Sequence, residues 1–429
     1  MARGKKSRVR KGGKPRTARS SPSAASPPPV PSLAAPVAVL KDDHLHPIFL
    51  RLDPADLLRA ALACRRWRRV AAGVAGAVPR APPLLGYFFH PSVNLPPPFP
   101  PKTDIMHRPA VFAPLDLYSP RLSLRLAPGA ASGLSIRDVH LGLVLLLPVA
   151  RGRPVTSLPR VLVVDPASRR RELLPPPPRT ALRGDAWRDD RRVLGVAVLS
   201  RSHPSRLTFE AVCVTLDGDR PRAWVANVRD GACTWLVLPR AKNVKVDFDA
   251  DDFDGSCVRA AGNIYWHIDG SDRLLALDPA TLKFSFLLAP DDIGSHYRVG
   301  EKPEDGQLCI VAAAGHEEVQ IWVRAKEDDE CNDNGWVLER EVCMREALDT
   351  VPRLPKGKQR MALTWVTDMD YARTGKVFIM TWGFGRYAFH LETGQLENLE
   401  THDRLVRGDP IWAYTLAWPP AFLAPQDPL

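Results

Sequence analysis

From about residue 85 onward one unit recurs in this 429-residue chain: a short apolar strand, a tight turn, a second strand, then a polar or Pro-rich break. Val161-Leu162-Val163-Val164 runs into Asp165-Pro166-Ala167-Ser168 and returns as Arg171-Glu172-Leu173-Leu174. Leu274 to Leu277 runs into Asp278-Pro279-Ala280-Thr281 and returns as Phe284-Ser285-Phe286-Leu287. Tyr387 to Leu391 turns at Glu392-Thr393-Gly394-Gln395 and returns through Leu396 to Leu399. Two further hairpins carry Trp at similar places, 223–228 with 234–238 around Asp230-Gly231, and 320–323 with 336–340. The turns use residues with a mechanism: Pro fixes φ, Asp bonds its own backbone, and Gly takes positive φ. Between the hairpins lie other strand-like runs at 141–147, 193–199, 207–216, 262–268, 308–313 and 377–382.

Proline supports the same reading. The chain has 43, about a tenth of its residues, against the usual ~5%. Each internal Pro removes a backbone donor and clashes with the preceding turn, so a mostly helical protein is excluded. Hairpins recurring every ~45 to 70 residues, with extra strands between, match four-stranded blades. The region 85–425 has room for six or seven blades of ~45–55 residues, the count left open. Radial closure also removes the long edges that so many short strands would leave. The predicted fold is mainly β, a β-propeller after a small helical segment.

Residues 47–72 are the one clear helical stretch. Asp53 can cap, Pro54 suits the first helical position, and Asp56 sits near the positive end of the dipole. Leu57, Leu58, Ala61, Leu62, Cys64, Trp67 and Val70 recur at helical spacing, with Arg59, Arg65, Arg66, Arg68 and Arg69 filling the other face. Gly73 is read as its end. A helical module at 39–76 is too small to stand alone and must dock on something. Residues 77–84 read as a linker.

The net charge of +11 is concentrated. Residues 1–20 carry nine Lys or Arg and no acid, which leaves +2 for the rest of the chain. That distribution argues against a nucleic-acid-binding face except through residues 1–20. Residues 1–38, basic and then rich in Ser, Ala and Pro, read as disordered. Lys5, Lys6, Arg8, Arg10 and Lys11 form a candidate nuclear-import signal, a transit peptide or a solvated tail being the alternatives. Seven cysteines with no C-x-x-C pair fit free thiols in a reducing compartment. No apolar run nears the ~20 residues that span a bilayer. The expectation is a soluble protein of the nucleus or cytoplasm, with no membrane partner.

Motifs for chemistry do not survive scrutiny. Gly383-Phe384-Gly385-Arg386-Tyr387-Ala388 matches G-x-G-x-x-A, but it lies between strand-like runs, whereas a dinucleotide site needs it to open a helix. It reads as a hairpin turn. Asp247, Asp249, Asp251, Asp252 and Asp254 lack the Gly and Glu of a calcium loop, whose sixth and twelfth positions hold Asp252 and Val258. They read as a solvated acidic loop, as does Glu327 to Glu330. Trp224, Trp235, Trp266, Trp322, Trp336, Trp365, Trp382 and Trp412 read as blade-packing residues. No catalytic residue, metal site or cofactor is assigned. A propeller enzyme would need clustered ionisable groups at one mouth of the ring.

The helical segment resembles an F-box, the motif by which substrate adaptors join cullin-type ubiquitin ligases. The matching residues are Ile48-Phe49-Leu50-Arg51-Leu52, Asp53-Pro54-Ala55-Asp56-Leu57-Leu58 and Leu62-Ala63-Cys64-Arg65-Arg66-Trp67-Arg68. The whole layout is similar to plant F-box proteins with a C-terminal propeller-like associated domain. The resemblance implies a non-enzymatic adaptor for a Skp–cullin–F-box ubiquitin ligase, its propeller holding a target protein. It puts Leu45, Ile48, Leu50, Leu52, Pro54, Leu57, Leu58, Leu62 and Trp67 at or beneath the contact with the Skp-type subunit. Lys41 stands where such motifs usually have Pro, and Pro47 implies a first helix that starts late. The alternative function is a nuclear, nucleic-acid-associated interaction protein acting through the basic tail.

Overall fold

Val144 and Leu145 are adjacent in sequence and lie in different cores. A strand alternates its side chains, so one buried on both faces feeds two layers. In the computed structural model the middle strands of the β region follow this pattern while outer ones such as Ala232–Val237 keep an exposed face, and together they build a ring. The structure describes residues 40–423 apart from 77–82, 93–107, 116–132, 149–157, 178–190, 205, 250–251, 292, 294–296, 315–316, 326–333, 362–363, 382–383, 400–405, 408–409 and 421–422.

Three helices come first: α1 (Asp42–Phe49), α2 (Pro54–Ala63) and α3 (Arg65–Ala75). Strands β1 (Leu84–Phe89), β2 (Pro91–Ser92) and β3 (Val111–Pro114) follow. Blade one is β4 (Leu134–His140), β5 (Leu143–Pro148), β6 (Val161–Asp165) and β7 (Arg170–Leu174). Blade two is β8 (Arg192–His203), β9 (Thr208–Asp217), β10 (Arg220–Arg229) and β11 (Ala232–Val237). Blade three is β12 (Phe253–Ala260), β13 (Asn263–Ile268), β14 (Arg273–Leu277) and β15 (Phe284–Leu288). Blade four is β16 (Tyr297–Glu301), β17 (Leu308–Ala314), β18 (Glu318–Arg324) and β19 (Trp336–Cys343), followed by α4 (Arg345–Asp349) and α5 (Lys358–Met361). Blade five is β20 (Thr364–Asp370), α6 (Tyr371–Thr374), β21 (Lys376–Thr381), β22 (Gly385–His390) and β23 (Leu396–Asn398). The chain ends through β24 (Val406–Arg407) and β25 (Trp412–Thr415).

Blades one to five are each a four-stranded antiparallel meander in chain order. The sixth is made from both ends of the β region: β25 pairs with β1, and β1 with β3. The fold is therefore a six-blade propeller closed by its own termini, and the blade number left open by the sequence is six. Every predicted hairpin became the outer two strands of a blade, and the interspersed runs became inner or second strands.

Between successive blades lies one hydrophobic layer. Leu143, Leu145 and Val163 pack against Val198 and Phe209 of blade two, while Val144, Leu146 and Leu162 turn toward Phe88 and Tyr414 of the closing blade. Trp224, Trp266 and Trp336 are fully buried within these layers and Trp412 nearly so; Trp235, Trp322 and Trp365 are half-buried. Trp382 lies outside the described residues. Trp266 presses onto β8 at Gly195, where a Cβ would sit 2.2 Å from its Nε1, so only glycine admits the indole there.

Leu141-Gly142, Asp230-Gly231 and Ala261-Gly262 are two-residue hairpin turns with positive φ at both positions, as the right-handed twist of the flanking strands favours. The apolar run 141–147 thus opens with a turn. Gly385 begins a strand antiparallel to β21, and Gly383 lies outside the described residues.

The helical segment corrects the sequence reading in three places. The first helix does not start late: it begins at Asp42 and contains Pro47, whose missing donor falls opposite the exposed Asp43 carbonyl, where solvent can serve it. The stretch after Asp53 is two helices, broken at Cys64, which is extended at φ −159°. Gly73 lies inside α3, which ends at Gly76. Among the described residues no helix is long and apolar enough to cross a membrane. Cys64, Cys213, Cys233, Cys257, Cys309 and Cys343 are free thiols.

Candidate partner-docking module and axial cavity

The turn between α1 and α2 is fixed by Asp53, whose Oδ1 accepts the Asp56 N–H at 2.8 Å while Pro54 occupies the first helical position. The Cys64-Arg65-Arg66-Trp67 element then does three separate jobs. Cys64 caps α3, its Sγ accepting the Trp67 N–H at 3.4 Å. Arg66 reaches back to the start of α1, donating to Asp42 Oδ1 at 2.7 Å and to the Leu40 carbonyl. Trp67 meets Phe49 edge to face, with ring centroids 5.5 Å apart. The spacing of that element is therefore the spacing that clamps α3 onto α1.

This module does not project freely. Leu45, Phe49, Leu57, Leu58, Ala61, Val70, Ala71, Val74 and Ala75 belong to the same core layer as Leu85, Phe88, Ile136, Trp412, Tyr414 and Leu423. Trp418 adds a hydrogen bond from its Nε1 to the Ala75 carbonyl at 3.1 Å. The docking that a module of this size needs is supplied in large part by its own propeller, at the joint between the closing blade and blade one.

The nine anticipated contact residues consequently divide. Leu45, Leu57 and Leu58 are buried. Leu50, Leu52 and Trp67 pack against the same layer from its edge, and Pro54 is half-buried. Ile48 and Leu62 stand out, 44% and 42% exposed. Arg51, Arg59, Arg65, Arg68 and Arg69 are exposed on the same three-helix unit. Two large apolar side chains among several guanidiniums form a surface suited to a partner with an apolar patch rimmed by acid. The anticipated import residues Lys5, Lys6, Arg8, Arg10 and Lys11 lie outside the described residues, as does the acidic run Glu327 to Glu330.

A second feature lies on the ring axis, and sequence reasoning did not find it. Strands β4, β12, β16, β20 and β25, with α6, surround a solvent-open cavity of about 160 Å³. Its polar lining includes Asp138, His140, Asp254, Arg259, His267, Arg298, Glu301, Asp368, Asp370 and Arg373. Only Asp254 carried any signal, as the last member of the acidic run. The others come from single positions on strands far apart in the chain, so no local motif exists to be read.

Two pairs within the cavity are neutralised: Arg259 meets Asp138 at 2.7 Å, and Arg373 meets Asp370 at 3.1 Å. Tyr87 also donates to Asp370 Oδ2 at 2.9 Å, tying the closing blade to blade five. Burial shifts the groups that remain. It pushes the Asp368 carboxyl up to about 6, against the N–H groups of Ile411 and Met369 and the Arg298 charge, which pull it down. Burial, with Arg259 nearby, holds His140 down at about 3. His267 is held well below the ordinary imidazole value, chiefly by burial and then by Arg298. Cys257 is held well above the ordinary thiol value by burial, so it stays a neutral thiol. Among the described residues no Ser, Thr or Cys of the cavity hydrogen-bonds a histidine, and no metal-holding group of His, Cys, Asp and Glu occurs.

Comparison with known proteins agrees with the helical module. Residues 42–74 match the F-box-like family model. No curated protein matches the sequence. Solved structures with a similar arrangement include one from a nidogen/laminin complex, 15% identical over 77% of this chain and 99% of that one, TM-score 0.37. Another is the Cps50 (Swd1) β-propeller domain of Myceliophteria thermophila, 14% identical over 67% and 88%, TM-score 0.31. A third is YCF48 bound to D1 peptide, 11% identical over 74% and 81%, TM-score 0.36. At those scores the propeller assignment rests on the strand pairing itself.

Proposed function

We propose that this chain is the substrate-recognition adaptor of a Skp–cullin–F-box ubiquitin ligase, with the F-box-like helices docking a Skp-type subunit and the propeller holding a target protein. The observation that carries the reading is the exposure of Ile48 and Leu62 on an F-box-like module whose other large apolar residues are packed. Single exposed hydrophobics are common on protein surfaces, and Leu115 and Leu236 are more exposed still, so these two gain their weight from lying within the F-box-like match at 42–74. The module is seated in the core between the closing blade and blade one, so a partner on α1 and α2 is held at a set position relative to the ring. Ubiquitin transfer then gains from proximity alone, the chemistry residing in other subunits, and the chain needs no cofactor. The same reading places the protein in the nucleus or cytoplasm.

The test is capture of a purified Skp–cullin pair by the full chain, compared with Ile48→Asp and Leu62→Asp. These positions are exposed, so the variants keep their fold; Leu57 and Leu58 are unsuitable because a charge there sits in the core. Capture by the parent protein with at least tenfold loss in either variant supports the adaptor reading. Equal capture by all three, or none by the folded parent at micromolar concentration, removes it.

A further inference from the structure

The charges on the ring axis do not balance. Among the described lining residues, with Asp138 and Asp370 paired, Asp254, Asp368 and Glu301 face one remaining guanidinium, that of Arg298. Arg298 is itself engaged, donating to the carbonyls of Thr367 at 2.5 Å and Tyr297 at 2.8 Å. Glu301 accepts only the backbone N–H of Ala261, and Asp254 has no ion-pair partner among the described residues. The walls add aromatic faces, Trp412 and Tyr371. They also include His267, 6% exposed, whose Nε2 has no hydrogen-bond partner among the described residues. Surplus carboxylates and aromatic side chains around one solvent-open cavity are the chemistry that selects an organic cation.

We propose that the axial cavity takes the arginine or lysine side chain of a target polypeptide. This rests on the reading that the propeller holds the target, and it names what the ring would recognise in it. A volume of about 160 Å³ admits one such side chain and excludes a folded segment. The peptide backbone would then stay at the mouth, with Asp254 and Asp368 addressing the cationic head. A bound cation favours ionised Asp368, whose neighbours from the packed strands are Arg298 of β16 and Asp254 of β12, beside the paired Asp370 and Arg373 of blade five. Because burial holds that carboxyl at about 6, binding weakens as pH falls through this value.

The experiment is calorimetric titration of the full chain with blocked Gly-Arg-Gly and Gly-Lys-Gly peptides, with the citrulline peptide as the neutral isostere and spermidine as a free cation. The expected result is at least tenfold tighter binding of a basic peptide than of the citrulline peptide. At least fivefold weakening from pH 7.5 to pH 5 and at least tenfold loss in Asp254→Asn should accompany it. Equal binding of arginine and citrulline peptides overturns the proposal without needing any variant to fold. Spermidine binding tighter than both basic peptides overturns the assignment to a polypeptide. Capture of the Skp–cullin pair, measured on the same preparation, separates the two readings: cation selectivity without capture removes the adaptor role and leaves the pocket standing.

Discussion

Asp138 on β4 and Arg259 on β12 meet at 2.7 Å although they stand 121 positions apart in sequence and a whole blade lies between theirs in the ring. The contact bridges blades one and three across β8, whose backbone serves both partners: Val198 donates its N–H to Asp138 at 2.7 Å and accepts from Arg259 at its carbonyl. The register of β8 shifts at three places, and no residue of β8 lines the cavity. The inner strand of blade two is drawn aside, and an ion pair buried at its Asp138 end spans the gap.

Asp138→Ala therefore strands a partly buried guanidinium and a buried amide N–H together, and should cost about 3 kcal/mol, the low end for a buried pair. The double variant Asp138→Leu, Arg259→Met should recover a large part of that loss, because it removes both charges. Urea unfolding of the two variants checks this. A single variant within 1 kcal/mol of the parent protein, on the scale of ~1 kcal/mol for an ordinary substitution, would show that the pair is dispensable.

Ring closure depends on Tyr414. It is fully buried, meets Phe88 edge to face at 5.1 Å, and donates its hydroxyl to the Gly142 carbonyl at 3.3 Å. Tyr414→Ala should cost about 3–5 kcal/mol through the cavity it leaves. Tyr414→Phe should cost about 1 kcal/mol, the net worth of one hydrogen bond. Thermal melts that rank the two variants the other way would contradict the packing described.

Exposure predicts the outcome at the helical module. Ile48→Asp and Leu62→Asp should change stability by no more than about 0.5 kcal/mol, as surface substitutions do. Leu57→Asp buries an unpaired charge and should unfold the module, loosening the closing blade that shares its core. Hydrogen exchange at β1 and β25 reports that loosening directly.

The Asp53 cap is an independent local test. Asp53→Ala removes the acceptor for the Asp56 N–H and should cost about 1 kcal/mol. Asp53→Asn should restore most of it, since the amide oxygen accepts the same bond.

His140 gives the protein a pH dependence of defined sign. Its folded value is about 3, below the ordinary 6.5, so between those values the unfolded chain binds a proton that the folded chain does not. Stability contributed by this group is fully present above about 6.5 and is lost as pH falls toward 3. Asp368, raised to about 6 from 3.8, acts in the opposite sense, its contribution falling as pH rises through that range. His140→Gln should flatten the acid limb of the stability curve, and Asp368→Asn should steepen it. Urea midpoints measured from pH 4 to 7 decide both.

Much of this architecture was legible before any coordinates. The Asp165 and Asp278 turns fix their hairpins locally, with backbone N–H groups bonded to the Asp side chain two and three residues on, so repetition could be counted from sequence. The Asp53-Pro54 start was legible for the same reason. The break at Cys64 was not, because the apolar spacing continues across it and nothing in composition shows a residue turning to the extended region. Pro47 misled in the other direction: the one donor it removes falls in an exposed stretch of a short helix, where the loss is tolerated.

The sequence by itself determined the five outer hairpins with their turns and the presence of a helical module, since these depend on interactions within a few residues. Only the tertiary structure decided the rest. Whether Leu57 faces a partner or a core depends on a propeller that begins more than twenty residues later. Six blades rather than seven follows from β25 finding β1, a pairing across almost the whole ring. The charged axis exists because five inner strands converge there. Convergence is a property of closure, and no segment of the chain contains it.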